Sequence, residues 1–125
     1  LDILEPLRFL KDGGLVSLTG DVIWNDNQRA VSVDFLGRRA ALPETPHMLA
    51  LVSGAPIFVL FAFRKTDGTY DFSVTPPLYV TAASRSDRQA AIQRSAQRYA
   101  DLIEEKLQVY PDQWYHFRPQ FFAKN

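Results

Sequence analysis

Leu15-Val16-Ser17-Leu18-Thr19-Gly20-Asp21 is the stretch around which the chain reads as organised. Gly13-Gly14 breaks whatever precedes it, and Leu15, Val16 and Leu18 carry the apolar, partly β-branched content of a buried strand. The run stops on a glycine and an acid. Open α/β sheets bind ligands just beyond the carboxyl ends of their strands, and Gly20-Asp21 would lie at that spot. Local chemistry also allows a plainer reading, in which Gly20 permits a turn and Asp21 caps the next segment.

On the N-terminal side, Asp2–Lys11 reads as an amphipathic helix with Ile3, Leu4, Leu7 and Leu10 on one face and Pro6 tolerated in the first turns. On the other side, Asn25-Asp26-Asn27-Gln28 has turn composition. Ala30–Leu36 then alternates, with Val31, Val33 and Phe35 on one face and Ser32 and Asp34 on the other. Gly37-Arg38-Arg39 ends that strand with two positive charges. In the cluster Pro43–Pro46, Thr45 reads as the cap of a short helix with Pro46 at its first position, running over Thr45–Val52 to Gly54. Ile57–Phe63 is a continuous apolar run, as in a strand covered on both faces. Asp67-Gly68 signals a hairpin that pairs Ile57–Arg64 with Thr69–Thr75. Ser86 with Gln89 forms a capping box for a long helix over Ser86–Tyr110, whose core face is Ile92, Ala96, Tyr99, Ile103 and Leu107. Pro111 ends it, and the aromatic tail Trp114–Phe122 is expected to fold back on the domain. The expected fold is α/β. One mixed sheet, made of Leu15–Asp21, Ala30–Leu36, Ile57–Arg64 and Thr69–Thr75, is flanked by helices in a single domain over residues 1–125.

Composition narrows the function. Fourteen basic residues balance fourteen acidic ones, so no positive excess exists to hold a nucleic-acid backbone. There is no cysteine, which removes disulfides, thiolate nucleophiles and cysteine metal sites together. His47 and His116 are isolated and lack metal-site spacing. No apolar run reaches membrane-spanning length, since Ala55–Phe63 is the longest and Pro56 breaks it. The start at Leu1 rather than Met suggests a portion of a longer protein.

No catalytic constellation assembles from spacing alone. Neither histidine has an acid four or five residues on to orient it, and His47, beside Pro46, reads as a capping or surface residue. Arg38-Arg39 offers guanidinium forks to a phosphate, although a solvated turn is the commoner use of such a pair. Arg64 closes an apolar strand and would point from the sheet edge.

The order of the pieces says more than any one of them. Lys11-Asp12-Gly13-Gly14, the run ending in Asp21, Val33-Asp34-Phe35-Leu36-Gly37-Arg38, Leu49-Ala50, Gly54-Ala55-Pro56, Phe61-Ala62-Phe63-Arg64 and Pro111-Asp112-Gln113-Trp114 follow one another in the chain. This succession resembles the C-terminal half of the lysophospholipid acyltransferase superfamily, in the branch of lipid A lauroyl and myristoyl acyltransferases. The resemblance implies an acyltransferase-type domain that moves a fatty acyl group from a carrier thioester to a hydroxyl of a phosphoglycolipid. It implies no metal or organic cofactor. The donor would be acyl carrier protein or acyl-CoA, the acceptor a lipid, and the place of work the cytoplasmic face of the bacterial inner membrane, as a peripheral protein. The family's base is the histidine of a His-x4-acid block, which removes the hydroxyl proton as the oxygen attacks. That block lies upstream of the matched region and is absent from this sequence, so no residue of the chain is assigned as catalytic. Asp21 takes the place of the acid in the family's strand-ending Asp-Gln step, Arg38 follows the Phe-Phe-Gly-like turn, and Arg64 ends the strand after Gly-Ala-Pro. These three are the candidate substrate-binding residues.

Where the family has the glutamine after the acid, this chain has Val22, and Val59 replaces the proline in the apolar strand. Both departures bear on substrate choice more than on fold. Half of a larger domain would also expose apolar surface, through which copies of the chain could associate. The rival reading is a non-catalytic α/β module that binds a ligand or partner and shares only the layout. The chain alone is expected to transfer no acyl group. Turnover of an acyl thioester by the purified chain, abolished by His47→Ala or His116→Ala, would overturn that expectation.

Overall fold

Alternation in the first strand meets a helix with matching periodicity, and this pairing builds the core. The computed structural model describes residues 3–21, 23 and 28–113. Its elements are α1 (Leu4–Lys11), β1 (Ala30–Phe35), β2 (Arg38–Pro43), α2 (Thr45–Ser53), β3 (Leu60–Arg64), β4 (Tyr70–Val74) and α3 (Arg88–Val109). Short 3-10 turns at Arg85–Asp87 and Pro111–Gln113 flank α3. Val31, Val33, Phe35, Ala40 and Leu42 of β1 and β2 pack against Ile92, Ala96, Ala100, Ile103 and Leu107 of α3. Two alanines at the contact let the helix axis approach the sheet closely, and the sequence periodicity of both elements is borne out.

Helices and antiparallel strands combine in an α/β fold, but the strands form two separate two-stranded sheets rather than one mixed sheet. Gly37-Arg38-Arg39, read from sequence as the end of the strand Ala30–Leu36, instead turns the chain back into β2, Arg38–Pro43, with Val33 opposite Ala40 and Asp34 opposite Arg39. The connection is Leu36-Gly37, with φ of 52° and 76°. Positive φ at both central residues winds the chain in the sense that a twisted hairpin requires. Leucine pays for this conformation on the order of 1–2 kcal/mol. The Leu36 N–H donates to Glu104 Oε1 of α3 at 2.5 Å, which fixes the turn from outside.

The segment Leu15–Asp21 belongs to neither sheet. The outer edge of β1, where another strand would pair, is already occupied by side chains of α3. Gln97 accepts from the Asp34 N–H at 2.8 Å and donates to its carbonyl at 2.9 Å, while Gln93 donates to the Ser32 carbonyl at 2.9 Å. Leu15 remains 81% exposed. The second hairpin follows the expected Asp67-Gly68 signal, pairing Leu60 with Val74 through to Arg64 with Tyr70. Only one of its faces is covered, contrary to the reading of Ile57–Phe63 as a strand buried on both sides. Phe61 and Phe63 turn toward α3, under the Lys106 ammonium and stacked 4.7 Å from Tyr110. Leu60, Phe72 and Val74 lie exposed on the other face, Leu60 and Val74 along the wall of a groove. The Tyr110 hydroxyl donates to Asp71 at 2.7 Å, tying the end of α3 to β4.

The expected capping box is not made. Ser86 lies in the 3-10 turn, its hydroxyl against that of Ser84, and Asp87 takes the cap position with its carboxylate accepting from the Ala83 N–H. The aromatic tail from Trp114 onward, Val22 and Asn25–Asn27 lie outside the described residues.

Ile92→Ala should cost about 2–5 kcal/mol, the range for large-to-small changes in a packed core. Gln97→Leu should cost about 1 kcal/mol, because water can take over part of its pairing with Asp34. Gln108→Leu, at an exposed helix position, should be neutral. Urea unfolding of the three variants checks the order.

Candidate functional site

The residues after α1 do not pair as a strand. They run along one wall of an open groove of about 650 Å³, together with α2, the stretch before β3 and one face of α3. Leu10, Leu15, Val16, Leu18, Leu49, Ile57 and Val59 make the lining mostly apolar. The volume lies within the range of ligand clefts, roughly 300–1,000 Å³.

Helix α2 carries the polar exception. Glu44 precedes it, its buried carboxylate 3.3 Å from the Arg29 guanidinium, and the His47 and Met48 N–H groups donate to the Glu44 carbonyl. The helix so begins one residue earlier than a Thr45 cap would give, with Pro46 in its first turn. This start turns His47 inward. His47 is 3% exposed, its Nδ1 lies 2.6 Å from Ser95 Oγ of α3, and its Nε2 has no partner among the described residues. Burial pushes the imidazole down to about 4. The reading of His47 as a capping or surface residue is therefore corrected.

Tyr99 sits one helical turn beyond Ser95, its ring 6.4 Å from that of His47. Burial first, and then the charge of Asp21, hold its hydroxyl well above the usual phenol range. Gly20 lies against this side chain. A Cβ at residue 20 would stand 3.0 Å from the Tyr99 Cε2 and Cζ atoms. Its φ is not in the left-handed region, so Gly20 serves close approach rather than a turn.

The sequence candidates fall in different places. Asp21 is half-buried next to Gly20, on the Tyr99 side of the groove. Arg38 starts β2 beside the hairpin turn and is exposed. Arg64 ends β3 and is exposed, while its backbone N–H and carbonyl are both held by the Gln113 amide, the former at 2.7 Å. Neither arginine lines the groove. Val59, in the place of the family's proline, uses the N–H a proline lacks to donate to Thr75 Oγ1 at 3.0 Å. Among the described residues there is no cluster of three His, Asp or Glu side chains able to hold a metal ion. Sequence reasoning missed the His47–Ser95 pair. Its only sequence signal was that both residues fall on the apolar faces of their helices.

A model of the bacterial lipid A biosynthesis acyltransferase family matches residues 2–122, and the chain belongs to that family. It is 33% identical over 93 residues to a phosphatidylinositol mannoside acyltransferase of Mycolicibacterium smegmatis. That match covers 74% of this chain and 28% of the relative, so the chain spans well under half of the relative's length.

The buried imidazole gives stability a pH dependence. Between about pH 6.5 and 4 the unfolded chain binds a proton at His47 that the folded chain refuses. Stability should therefore be complete above about 6.5 and fall as the pH drops toward 4, by up to about 3 kcal/mol. His47→Gln should flatten this part of the profile, as read from urea midpoints between pH 7 and 4.5.

Proposed function

We propose that this chain forms the acyl-holding part of an acyltransferase that moves a fatty acyl group from a thioester to a hydroxyl of a glycolipid. The observation that carries the reading is the apolar groove of about 650 Å³ in a member of an acyltransferase family. Family membership favours this over a stand-alone binding module. The donor would be acyl carrier protein or acyl-CoA and the acceptor a phosphoglycolipid, at the cytoplasmic face of the inner membrane. No helix among the described residues is long and apolar enough to cross a membrane, and a peripheral attachment is the proposal. The exposed part of the β3–β4 hairpin away from the groove, with Tyr70 and Phe72, would be the surface through which copies associate.

In the reaction, the acceptor oxygen attacks the thioester carbonyl carbon, the carbon–sulfur bond breaks, and the hydroxyl proton passes to a base. His47 is unsuited to that last role, since its imidazole stays neutral far below neutral pH and no carboxylate among the described residues orients it. The sequence has Val52 and Phe121 five residues after its two histidines, so neither makes the His-x4-acid block. The described residues would thus bind rather than abstract. The acyl chain would lie along Leu18, Ile57 and Val59, excluding water from the reacting end. Asp21 would shape the end of the groove beside Tyr99, and Arg38 and Arg64 would meet phosphate on the donor or acceptor.

Ala55→Trp, which puts an indole into the groove wall, should lower dodecanoyl transfer by the full-length protein at least tenfold while the thermal melt stays normal. Arg64→Ala should raise KM for a phosphorylated acceptor several-fold and leave kcat nearly unchanged. Unchanged transfer by the Ala55→Trp protein would remove the groove from the reaction.

A further inference from the structure

We infer that His47 donates a hydrogen bond from Nε2 to an acyl carbonyl oxygen bound in the groove, so that the His47–Ser95 pair reads the polar end of a chain whose methylenes lie against the apolar walls. This rests on the acyl-groove reading above and assigns it a polar anchor.

The argument begins with a proton count. Ser95 has one hydroxyl proton, and His47 Nδ1 is its hydrogen-bond partner at 2.6 Å. If the hydroxyl donates to Nδ1, both the hydroxyl and Nδ1 are satisfied, and the ring carries its proton on Nε2. If Nδ1 donates instead, the serine proton and the Nε2 lone pair are both left without partners. The first arrangement leaves one group unpaired and the second leaves two, so the first is favoured. The unpaired group is then an N–H donor. Nε2 is the sole buried side-chain nitrogen or oxygen without a hydrogen bond among the described residues; the histidine lines the groove, and the side chains over Nε2 must shift for a groove-bound oxygen to reach it. Buried donors without partners are rare and costly in folded proteins, and one placed at a ligand cleft points to a ligand acceptor.

The surroundings select the acceptor. Leu49, Ile57 and Val59 line the same groove, and burial keeps the imidazole neutral. An anionic oxygen would lose its solvation there without meeting a cation, because Arg38 and Arg64 lie outside the groove. An uncharged carbonyl flanked by methylenes fits both the donor and the walls. An acyl thioester and an acyl oxyester both carry such a group, and the chemistry at Nε2 is the same for both. No bond is made or broken at His47 in this role.

The test uses the full-length protein with ¹⁵N-labelled histidine and three probes. These are S-dodecanoyl-pantetheine, monododecanoyl glycerol, and S-dodecyl-pantetheine, which has the chain but no carbonyl. The expected result is a downfield shift of the His47 Nε2–H proton with one or both carbonyl probes and none with the thioether. A shift with the thioester alone assigns the anchor to the donor, and one with the oxyester alone assigns it to an acyl chain of the acceptor. His47→Phe should weaken the responding probe about tenfold and leave the thioether unchanged, whereas His47→Gln, which keeps an N–H at similar reach, should restore most of the loss. Movement of the Leu18 and Val59 methyl resonances with an unmoved Nε2–H would overturn the anchor and keep the groove. No methyl movement with any probe would remove the groove reading and the anchor together. The shift is measured on the wild-type protein, so the result stands even if His47→Phe fails to fold.

Discussion

The row of polar side chains that α3 lays along the open edge of β1 is the interaction on which the rest of the structure depends. Gln93, Gln97 and Glu104 meet the main chain of Ser32, Asp34 and Leu36, alternate residues whose peptide groups point away from β2. A glutamine amide presents one donor and one acceptor, the same pair a neighbouring strand would offer. The second sheet repeats the device, with Gln113 holding both peptide groups of Arg64. The same helix also reaches α2 through Ser95, the groove-lining segment through Tyr99, and the second hairpin through Lys106 and Tyr110.

This arrangement explains why the groove exists. With the edge of β1 occupied by side chains, Leu15–Gly20 joins no ladder and contributes Leu15, Val16, Leu18 and Gly20 to the wall of the groove shared with α2, α3 and the stretch before β3. The polar side chains of that space are Ser17, His47, Ser95 and Tyr99, and Arg38 and Arg64 stand apart from it on the hairpins. A fatty chain and a phosphate demand opposite surroundings, and the proposed function makes use of this separation.

Much of the fold was legible in the sequence, and the failures have definite causes. Val31, Val33 and Phe35 alternate without interruption and face Ile92, Ala96, Ile103 and Leu107, so period alone located the core. Asp67-Gly68 announced its own hairpin. The Leu36-Gly37 turn was missed because leucine is not a residue that favours positive φ, and β2 begins with two arginines that look like a loop. Leu15–Asp21 had the composition of a strand, but composition cannot say that glutamines of α3 hold the edge it would need. The site was less legible still. Family resemblance directed attention to Asp21, Arg38 and Arg64, while the pairing of His47 with Ser95 spans 48 residues and depends on how two helices cross.

The left-handed turn at Leu36 also bears on the order in which the chain can fold. A two-residue hairpin is normally a local structure, able to form in microseconds and to serve as a starting point. Here the turn holds a residue that resists it, and its stabilising partner, Glu104, lies 68 residues further along. The second hairpin is different: Asp67 accepts from the Thr69 N–H and hydroxyl, so its turn is specified within a few residues. The β3–β4 pair can therefore close by itself, whereas β1 and β2 must wait for α3. A connection of two residues has acquired the kinetic character of a long-range contact, and the rate at which the core condenses is tied to the docking of a helix near the opposite end of the sequence.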